Sequence, residues 1–381
     1  MGILSLNTRA QAGVRRRALA GFDPQLTVYA SLLATVGLVI AFSNSAETAS
    51  SALASGTTFS RGLVLALVAV MVHGLLAAFD YRWLRSFAVP LYLANIALLV
   101  LTDLIGSGPG GAARWIGLGG FQLQPSELSK IFVIVALAHY LAGRGDRLGS
   151  LRTILGACAL VVPPFLLVLR QPDLGTALVL LAILAGMLFL AGASLRWLAI
   201  LGGAGLAALP LVWTHVLQDY QRERLLSFLD PAADPQGSGY QILQSETAIG
   251  SGGLFGKGLT NGTDSLHALP VGSSDFVFAS LMEEIGFLGG LVLFALYGAL
   301  LWRLLRCAWR SEDPFGGLVA GGVASMILFQ VLVNAGMAMG VMPVTGIPLP
   351  FISHGGSSLV GLAIGLGIVQ SVNLRAHRPD W

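Results

Sequence analysis

The chain has 381 residues, of which 55% are hydrophobic and only 11% are charged, with a formal net charge of +3. Soluble domains contain about 25% charged residues, so this composition excludes an ordinary soluble enzyme and gives no reason to expect a nucleic-acid partner. A mean hydropathy of +0.77 instead indicates a protein that crosses a membrane several times.

Apolar segments recur along the whole chain, and a bilayer span takes roughly 20 such residues. The ten candidate spans are 25–43, 62–79, 86–103, 126–143, 152–169, 174–192, 196–215, 276–302, 316–341 and 355–374. We therefore expect an all-α, polytopic membrane protein with about ten transmembrane helices, in which residues 1–381 form a single transmembrane domain.

Basic residues are distributed unevenly among the connections between these spans. With the N-terminus inside, most of the 22 basic residues fall on the inner side, including those in 9–17, 144–152 and 303–310. Short cytoplasmic loops carry such an excess. The pattern therefore predicts that both termini are cytoplasmic.

One connection differs from the rest in length and composition. Residues 216–274 form a polar, glycine-rich segment on the predicted outer side, with apolar residues at intervals. Loops of this length are usually functional or disordered. The apolar residues favour an ordered extracytoplasmic loop that contains short helices and lies on the outer leaflet.

Four polar motifs begin the even-numbered spans, which all start outside under this topology. They are "QPSELSK" (124–130), "RQPDLGTA" (170–177), the stretch that opens with Asp275, and "PLPFISHGGSS" (348–358). Helix N-termini expose unpaired N–H groups and favour anions. The four ends together predict one outer cavity suited to a phosphate or pyrophosphate.

The first motif has two interpretations. Pro125 fits the first helical position, and Ser126 and Glu127 follow in the first turn. Lys130 could pair with Glu127 at i,i+3 spacing, which would neutralise both charges. It could instead point into the outer cavity and hold an anion, which its position on the outer side favours.

The other motifs and the outer arginines supply further candidates. Asp173 is interpreted first as a charge that stabilises a helix N-terminus. The small residues of the last motif either allow close helix packing or form a cradle for the ligand; they are Gly355, Gly356, Ser357 and Ser358. Three outer arginines are candidates for binding pyrophosphate, namely Arg114, Arg222 and Arg224.

The eighth span carries three carboxylates, although a charge inside a bilayer is costly and usually functional. On a straight helix, Glu283 and Glu284 would be rotated about 80° and 180° from Asp275. We therefore assign them different roles. Glu283 and Glu284 are expected to brace the long loop or other helices, whereas Asp275 caps the helix or serves as a general base at the cavity mouth.

The motifs resemble those of the SEDS family, also called the FtsW/RodA/SpoVE family. The resemblance lies in "ARWIGLGGFQLQPSELSKIF" (113–132), "RQPDLGTAL" (170–178), "SDFVFASLMEEIGFLG" (274–289) and "PVTGIPLPFISHGGSS" (343–358). It extends over most of the chain from about 113 to 374. The "TGIPLPF" version is more similar to the RodA branch, which acts in elongation, than to the FtsW branch, which acts in division.

The resemblance implies a peptidoglycan glycosyltransferase on the outer face of the bacterial plasma membrane. Such an enzyme polymerises lipid II and releases undecaprenyl pyrophosphate, in partnership with a class B penicillin-binding protein. The family's essential aspartate corresponds to Asp275, and its motif lysine to Lys130. We expect no metal site built by the protein alone, and we allow for a divalent cation, Mg²⁺ or Mn²⁺, at the pyrophosphate.

The chain departs from the family pattern in two places. Val271, Gly272, Ser273 and Ser274 stand where family members often have a Glu and a His-Thr pair, and His354 replaces a usual Tyr. These changes bear on the surroundings of Asp275 but leave Asp275 and Lys130 in place.

Two other functions remain open at this point. A flippase for the same lipid would need polar residues along a path to the inner side, whereas the polar motifs here gather outside. A non-catalytic scaffold that docks the penicillin-binding protein would not need Lys130 or Asp275.

Overall fold

The computed structural model describes residues 21–45, 58–107, 113–118, 121–215, 219–231, 238–260, 275–353 and 355–375. Within these ranges the chain is mostly helical, and one two-stranded antiparallel hairpin pairs Ile116 with Leu123. The all-α prediction is confirmed.

The helices follow one another in chain order, and the longest connections between them are 106–124, 252–276 and 339–355. They are α1 (Pro24–Ser45), α2 (Thr58–Ala78), α3 (Arg82–Ser86), α4 (Ala88–Ile105), α5 (Pro125–Ala142), α6 (Leu151–Arg170), α7 (Leu174–Leu190), α8 (Leu195–His215), α9 (Asp219–Leu229), α10 (Ser238–Ser251), α11 (Val277–Arg310), α12 (Pro314–Ala338) and α13 (Gly356–Arg375). The hairpin strands β1 (Ile116–Leu118) and β2 (Phe121–Leu123) lead directly into α5.

Ten of these helices correspond to the ten predicted spans. In the part of the chain that the structure describes, eight are long and apolar enough to cross a membrane: α1, α2, α4, α5, α6, α11, α12 and α13. The other two, α7 and the Leu195–Ala208 part of α8, are apolar but shorter by that measure. The chain is therefore a multi-pass membrane protein.

Helices α5, α12 and α13 form the centre of the bundle. In each of them, 72% of the most apolar 18-residue stretch is buried, against 11% in α2 at the periphery. Glycines let these central helices approach closely, since a Cβ at Gly322 would press on Ile134, and one at Gly365 would meet Ile131 and Val323. The helices that carry the first and last polar motifs at their N-terminal ends, α5 and α13, thus belong to a tightly packed core.

The predicted cytoplasmic end is held by ion pairs between different elements. The pairs are Arg303–Asp23 at 2.6 Å, Arg375–Asp80 at 3.5 Å and Arg85–Asp313 at 3.9 Å. Positive charge at this end thus contributes to helix packing.

Helix α11 is interrupted at Gly286, whose φ of 67° and ψ of −172° are not helical. The break lies after Glu283 and Glu284 and therefore does not bear on their predicted rotation relative to Asp275. A turn of the long loop, Gly252–Gly258, packs against the break. The N–H of Phe287 donates to the carbonyl of Gly253, and the N–H of Lys257 donates to the carbonyl of Glu283. The turn thereby pairs backbone groups at the point where the helical pattern fails.

The two glutamates beside the break bind groups outside α11, as the bracing interpretation expected. Glu283 is fully buried, and its Oε1 lies 2.6 Å from Nζ of Lys257 in the loop. Glu284 accepts a 2.5 Å hydrogen bond from the Ser43 hydroxyl at the end of α1. The loop, α1 and α11 are joined at this level.

The long outer loop contains two helices, α9 and α10, as its apolar residues predicted. Ile242 of α10 is buried, and Ser245 donates a 2.7 Å hydrogen bond to the carbonyl of Ala338 at the end of α12. Part of the predicted 216–274 loop, including the departures at 271–274, lies outside the described residues.

Candidate active site

A cavity of about 480 Å³ opens at the predicted outer ends of the helices. We call it the outer cavity, and its lining is Arg114, Trp115, Gln124, Glu127, Pro172, Asp173, Leu174, Thr176, Leu178, Gln221, Arg224, Leu225, Asp275, Pro343, Val344, Thr345, Gly346, Pro348, Gly355, Ser357 and Ser358. All four polar motifs contribute to this lining, so their predicted convergence is confirmed.

Asp173 connects the first two motifs at the start of α7. Its Oδ1 accepts a 3.1 Å hydrogen bond from the N–H of Thr176, which caps the helix as predicted. Its Oδ2 accepts hydrogen bonds of 3.1 Å from the Ser126 hydroxyl and from the Gln124 side-chain amide. Ser126 is almost fully buried and does not line the outer cavity, but it contacts Asp173, which does.

The last motif is tied to the hairpin that precedes α5. The Ser357 hydroxyl accepts a 3.0 Å hydrogen bond from the N–H of Gln124 and donates one of 3.1 Å to the carbonyl of Gln122. Gly356 does not line the outer cavity, so of its two interpretations the structure favours close helix packing over the cradle. A Cβ there would press on Leu65 of α2, so this glycine allows two helices to pack closely.

Lys130 pairs with Glu127 instead of lining the outer cavity. Its Nζ lies 2.7 Å from Oε2 of Glu127, and both side chains are buried. Glu127 lines the cavity, so the lysine stands behind it. Of the two interpretations of this motif, the structure shows the i,i+3 pair.

The three candidate arginines differ in position. Arg114 and Arg224 line the outer cavity. Arg114 also donates from Nε to the carbonyl of Gln171 at 2.9 Å and from Nη2 to the carbonyl of Pro172. Arg222 does not line the cavity, since its guanidinium donates to the carbonyls at the end of α8.

Arg170 pairs with Asp103 and not with Asp173. It lies near Asp173 in sequence, but its Nε is 3.1 Å from a carboxylate oxygen of Asp103. Asp173 is therefore held by neutral donors, namely an amide, a hydroxyl and a backbone N–H.

Asp275 lies on the wall of the outer cavity, two residues before α11 begins. A Cβ built at Gly346 would lie 3.4 Å from Oδ2 of Asp275, so the carboxylate stands against the backbone of this glycine. The carbonyl of Asp275 accepts a 2.9 Å hydrogen bond from the side chain of Asn334. The half-buried carboxylate thus faces the cavity from a fixed backbone.

Sequence reasoning missed several residues of this site. Gln124 and Thr176, which lie in the quoted motifs but were not singled out, line the cavity together with Pro343, Val344, Thr345, Gly346 and Pro348. Asn334 reaches Asp275 from the last third of α12. The glycine and prolines of 343–348 signalled an irregular segment, but nothing in the apolar surroundings of Asn334 distinguished it. His354 lies outside the described residues.

The arrangement suits an anionic substrate with a reactive hydroxyl. Two arginines, several helix N-termini and backbone N–H groups favour phosphate oxygens, while Asp275 can accept a proton from a hydroxyl within reach. Among the described residues, no three His, Cys, Asp or Glu side chains converge as a metal site.

Comparison with known proteins finds relatives that belong to one family. The family model FTSW_RODA_SPOVE, described as "Cell cycle protein", matches residues 24–378. The peptidoglycan glycosyltransferase MrdB of Escherichia coli K12 is 43% identical over 319 residues, covering 83% of this chain and 84% of the relative. Stage V sporulation protein E of Bacillus subtilis is 38% identical over 355 residues, covering 92% and 96%.

Solved structures of related proteins have a similar fold. The rod shape determining protein RodA of Thermus thermophilus superposes with a TM-score of 0.70 at 32% identity, covering 94% of this chain and 98% of that one. A chain from a peptidoglycan synthase complex that coordinates polymerization and crosslinking superposes with a TM-score of 0.79 at 34% identity, covering 94% and 99%.

Proposed function

The chain belongs to the FtsW/RodA/SpoVE (SEDS) family, and from that premise we propose how its outer cavity carries out the reaction. The protein is a peptidoglycan glycosyltransferase that polymerises lipid II in cell-wall elongation. This activity, rather than lipid flipping or scaffolding, is the one that relatives of both the MrdB and FtsW kinds carry in their names.

Asp275 serves as the general base. Its carboxylate accepts the proton of the 4-hydroxyl of one lipid II disaccharide, and the oxygen attacks the anomeric carbon of the growing chain. The bond from that carbon to the phosphate oxygen breaks, and undecaprenyl pyrophosphate leaves with the bonding electron pair. A single displacement with inversion needs only this one carboxylate.

The pyrophosphate binds to the positive side of the outer cavity. Arg114 and Arg224 supply charge, while the start of α7 and the small residues of α13 supply backbone N–H groups and hydroxyls. The members of the last motif on this side are Gly355, just before α13, and Ser357 and Ser358. The Ser357 hydroxyl already donates to the carbonyl of Gln122, so Ser357 contributes its N–H and the hydroxyl is that of Ser358. Leaving-group charge is thereby stabilised as it develops.

Lys130 acts on the substrate through Glu127. An unpaired carboxylate on the cavity wall would repel a pyrophosphate, and the buried ammonium group 2.7 Å away neutralises it. Ser126 contributes through its hydrogen bond to Asp173. The family's motif lysine thus sets the charge of the wall instead of contacting the anion.

A divalent cation fits this site only together with the substrate. Mg²⁺ is commonly held by one or two carboxylates plus substrate phosphates, and the described residues offer no complete protein site. We propose that Mg²⁺ or Mn²⁺ enters bound to the pyrophosphate, where it would neutralise leaving-group charge.

The partner is a class B penicillin-binding protein, consistent with the synthase complex among the structural neighbours. We place the protein in the bacterial plasma membrane, with the outer cavity on the extracytoplasmic face and both termini in the cytoplasm. The cluster of ion pairs rich in arginine at the opposite end supports this orientation.

The observation that carries the mechanism is that Asp275 lines one cavity with the N-terminal ends of α5, α7 and α13. The test is polymerisation of lipid II by the purified protein with its partner. The Asp275→Asn variant should lose about 10²- to 10⁴-fold in rate, as expected for removal of a general base. Asp230→Asn, a matched change at the end of α9 outside the cavity, should retain full rate. Normal polymerisation by Asp275→Asn would refute the assignment.

A further inference from the structure

Asn334 connects two backbone segments of the outer cavity wall. It lies in the last third of α12 and is fully buried. Its side-chain nitrogen donates a 2.9 Å hydrogen bond to the carbonyl of Asp275 and a 2.7 Å hydrogen bond to the carbonyl of Ile347. Both hydrogen atoms of one amide group therefore join Asp275, two residues before α11, to Ile347 in the segment before α13.

The second segment stands directly against the Asp275 carboxylate. Gly346 has a φ of 72°, a region that favours glycine, and a Cβ there would lie 3.4 Å from Oδ2 of Asp275. Ile347, the next residue, is almost fully buried. The distance between the Asp275 and Ile347 backbones thus determines how the carboxylate sits at the wall.

Only an amide provides this connection at the observed size. A carboxylate in its place would direct oxygens at two carbonyl oxygens, and when protonated it could donate only one hydrogen bond. A leucine would fill a similar volume but remove the hydrogen bonds to both carbonyls, and an unmade hydrogen bond in a buried site costs about 1–3 kcal/mol for each group.

We propose that Asn334 is a positioning residue for proton transfer, because it fixes the Asp275 carboxylate against Gly346 at the wall of the outer cavity. This inference rests on the proposed role of Asp275 as base. Asn334 itself is fully buried and is not among the residues that line the cavity.

A neighbouring residue provides a matched control. Gln330 lies one helical turn earlier in α12, is also fully buried, and neither polar atom of its amide has a partner among the described residues. Replacing it removes a buried amide from the same helix without removing a bond to Asp275. A general requirement for buried amides in α12 would affect both positions alike.

The experiment measures polymerisation rate against lipid II concentration and pH for Asn334→Leu, Asn334→Asp and Gln330→Leu, with the partner present. We expect Asn334→Leu to lower the maximal rate about 10- to 100-fold, since misplacement by about 1 Å costs this much, while the half-saturating concentration changes less than about threefold. The pH profile should move because the carboxylate has a new environment. Asn334→Asp should lie between, and Gln330→Leu should retain rate and profile.

Thermal unfolding of each purified variant separates activity from folding. If Asn334→Leu does not fold, Asn334→Asp, which keeps nearly the same size, carries the test. The inference is overturned if Asn334 variants that fold keep the wild-type maximal rate, or lose rate only in proportion to their folded fraction with an unmoved pH profile. Asp275→Asn is assayed in parallel: activity in that variant would refute the proposed base, whereas its inactivity beside active Asn334 variants would refute only the positioning role.

Discussion

Lys130 and Glu127 form an ion pair that is almost shielded from water. Nζ lies 2.7 Å from Oε2, and each side chain exposes only 4% of its surface. A buried pair contributes little net stability, but removal of one partner leaves an uncompensated charge. Removing one partner should therefore destabilise the protein much more than replacing both partners.

Lys130→Met should destabilise the protein by about 3–5 kcal/mol, because it leaves the Glu127 carboxylate buried without its partner. The double variant Lys130→Met/Glu127→Gln should recover most of that loss. Thermal unfolding in detergent measures both. As a control, Arg170→Met breaks a pair whose arginine is 76% exposed, and it should cost less than about 1 kcal/mol. An equally unstable double variant would contradict this interpretation.

Asp173→Ala should affect stability and substrate binding together. It removes the α7 cap, worth about 1–2 kcal/mol, and the two hydrogen bonds that join α7 to the start of α5. Asp313→Ala is the matched control, since Asp313 caps α12 at the inner end. Both variants should lower the unfolding temperature, but only Asp173→Ala should raise the lipid II concentration at half-maximal rate. Equal kinetics for the two would count against the role of Asp173 in the cavity.

The variants Arg224→Ala and Arg222→Ala should differ strongly in their affinity for lipid II. Of these two arginines, only Arg224 lines the outer cavity. A charge-assisted hydrogen bond to phosphate is worth about 1.5–3 kcal/mol. Loss of Arg224 should therefore weaken lipid II binding about tenfold or more. Arg222→Ala should leave affinity unchanged, because that guanidinium binds carbonyls at the end of α8. Binding titrations with both variants decide the matter, and equal losses would show that the cavity is assigned wrongly.

Gly286→Ala should loosen the contact between α11 and the Gly252–Gly258 turn. The glycine has a positive φ, and an added Cβ would collide with the backbone of Gly256. Hydrogen exchange of the amides of Lys257 and Phe287, which bond across this contact, should become faster. Gly298→Ala, in the same helix with open space around it, should leave exchange unchanged. Unaltered exchange in Gly286→Ala would mean that the turn does not depend on the break.

The sequence predicted the spans and the shared position of the four motifs, because apolar length and loop charge determine where membrane helices begin. It could not place Lys130, since i,i+3 spacing is compatible with both a pair and a cavity-facing side chain. Gly356 and Arg222 lie next to lining residues in sequence, and only the packing of α2 and the end of α8 removes them from the site. The break at Gly286 could not be predicted from the sequence of α11, because it depends on contacts with a turn about 30 residues earlier in the chain.

The interruption of α11 also bears on how the protein adapts to different lipids. An unbroken helix of 34 residues would be about 51 Å long, well beyond a hydrocarbon core of roughly 30 Å, and such helices tilt as membrane thickness changes. The inner part is anchored through Arg303 to Asp23, whereas the outer part carries Asp275 beyond the break. Tilting of the inner part therefore need not displace the carboxylate, and the reaction geometry can stay constant while the surrounding acyl chains vary in length.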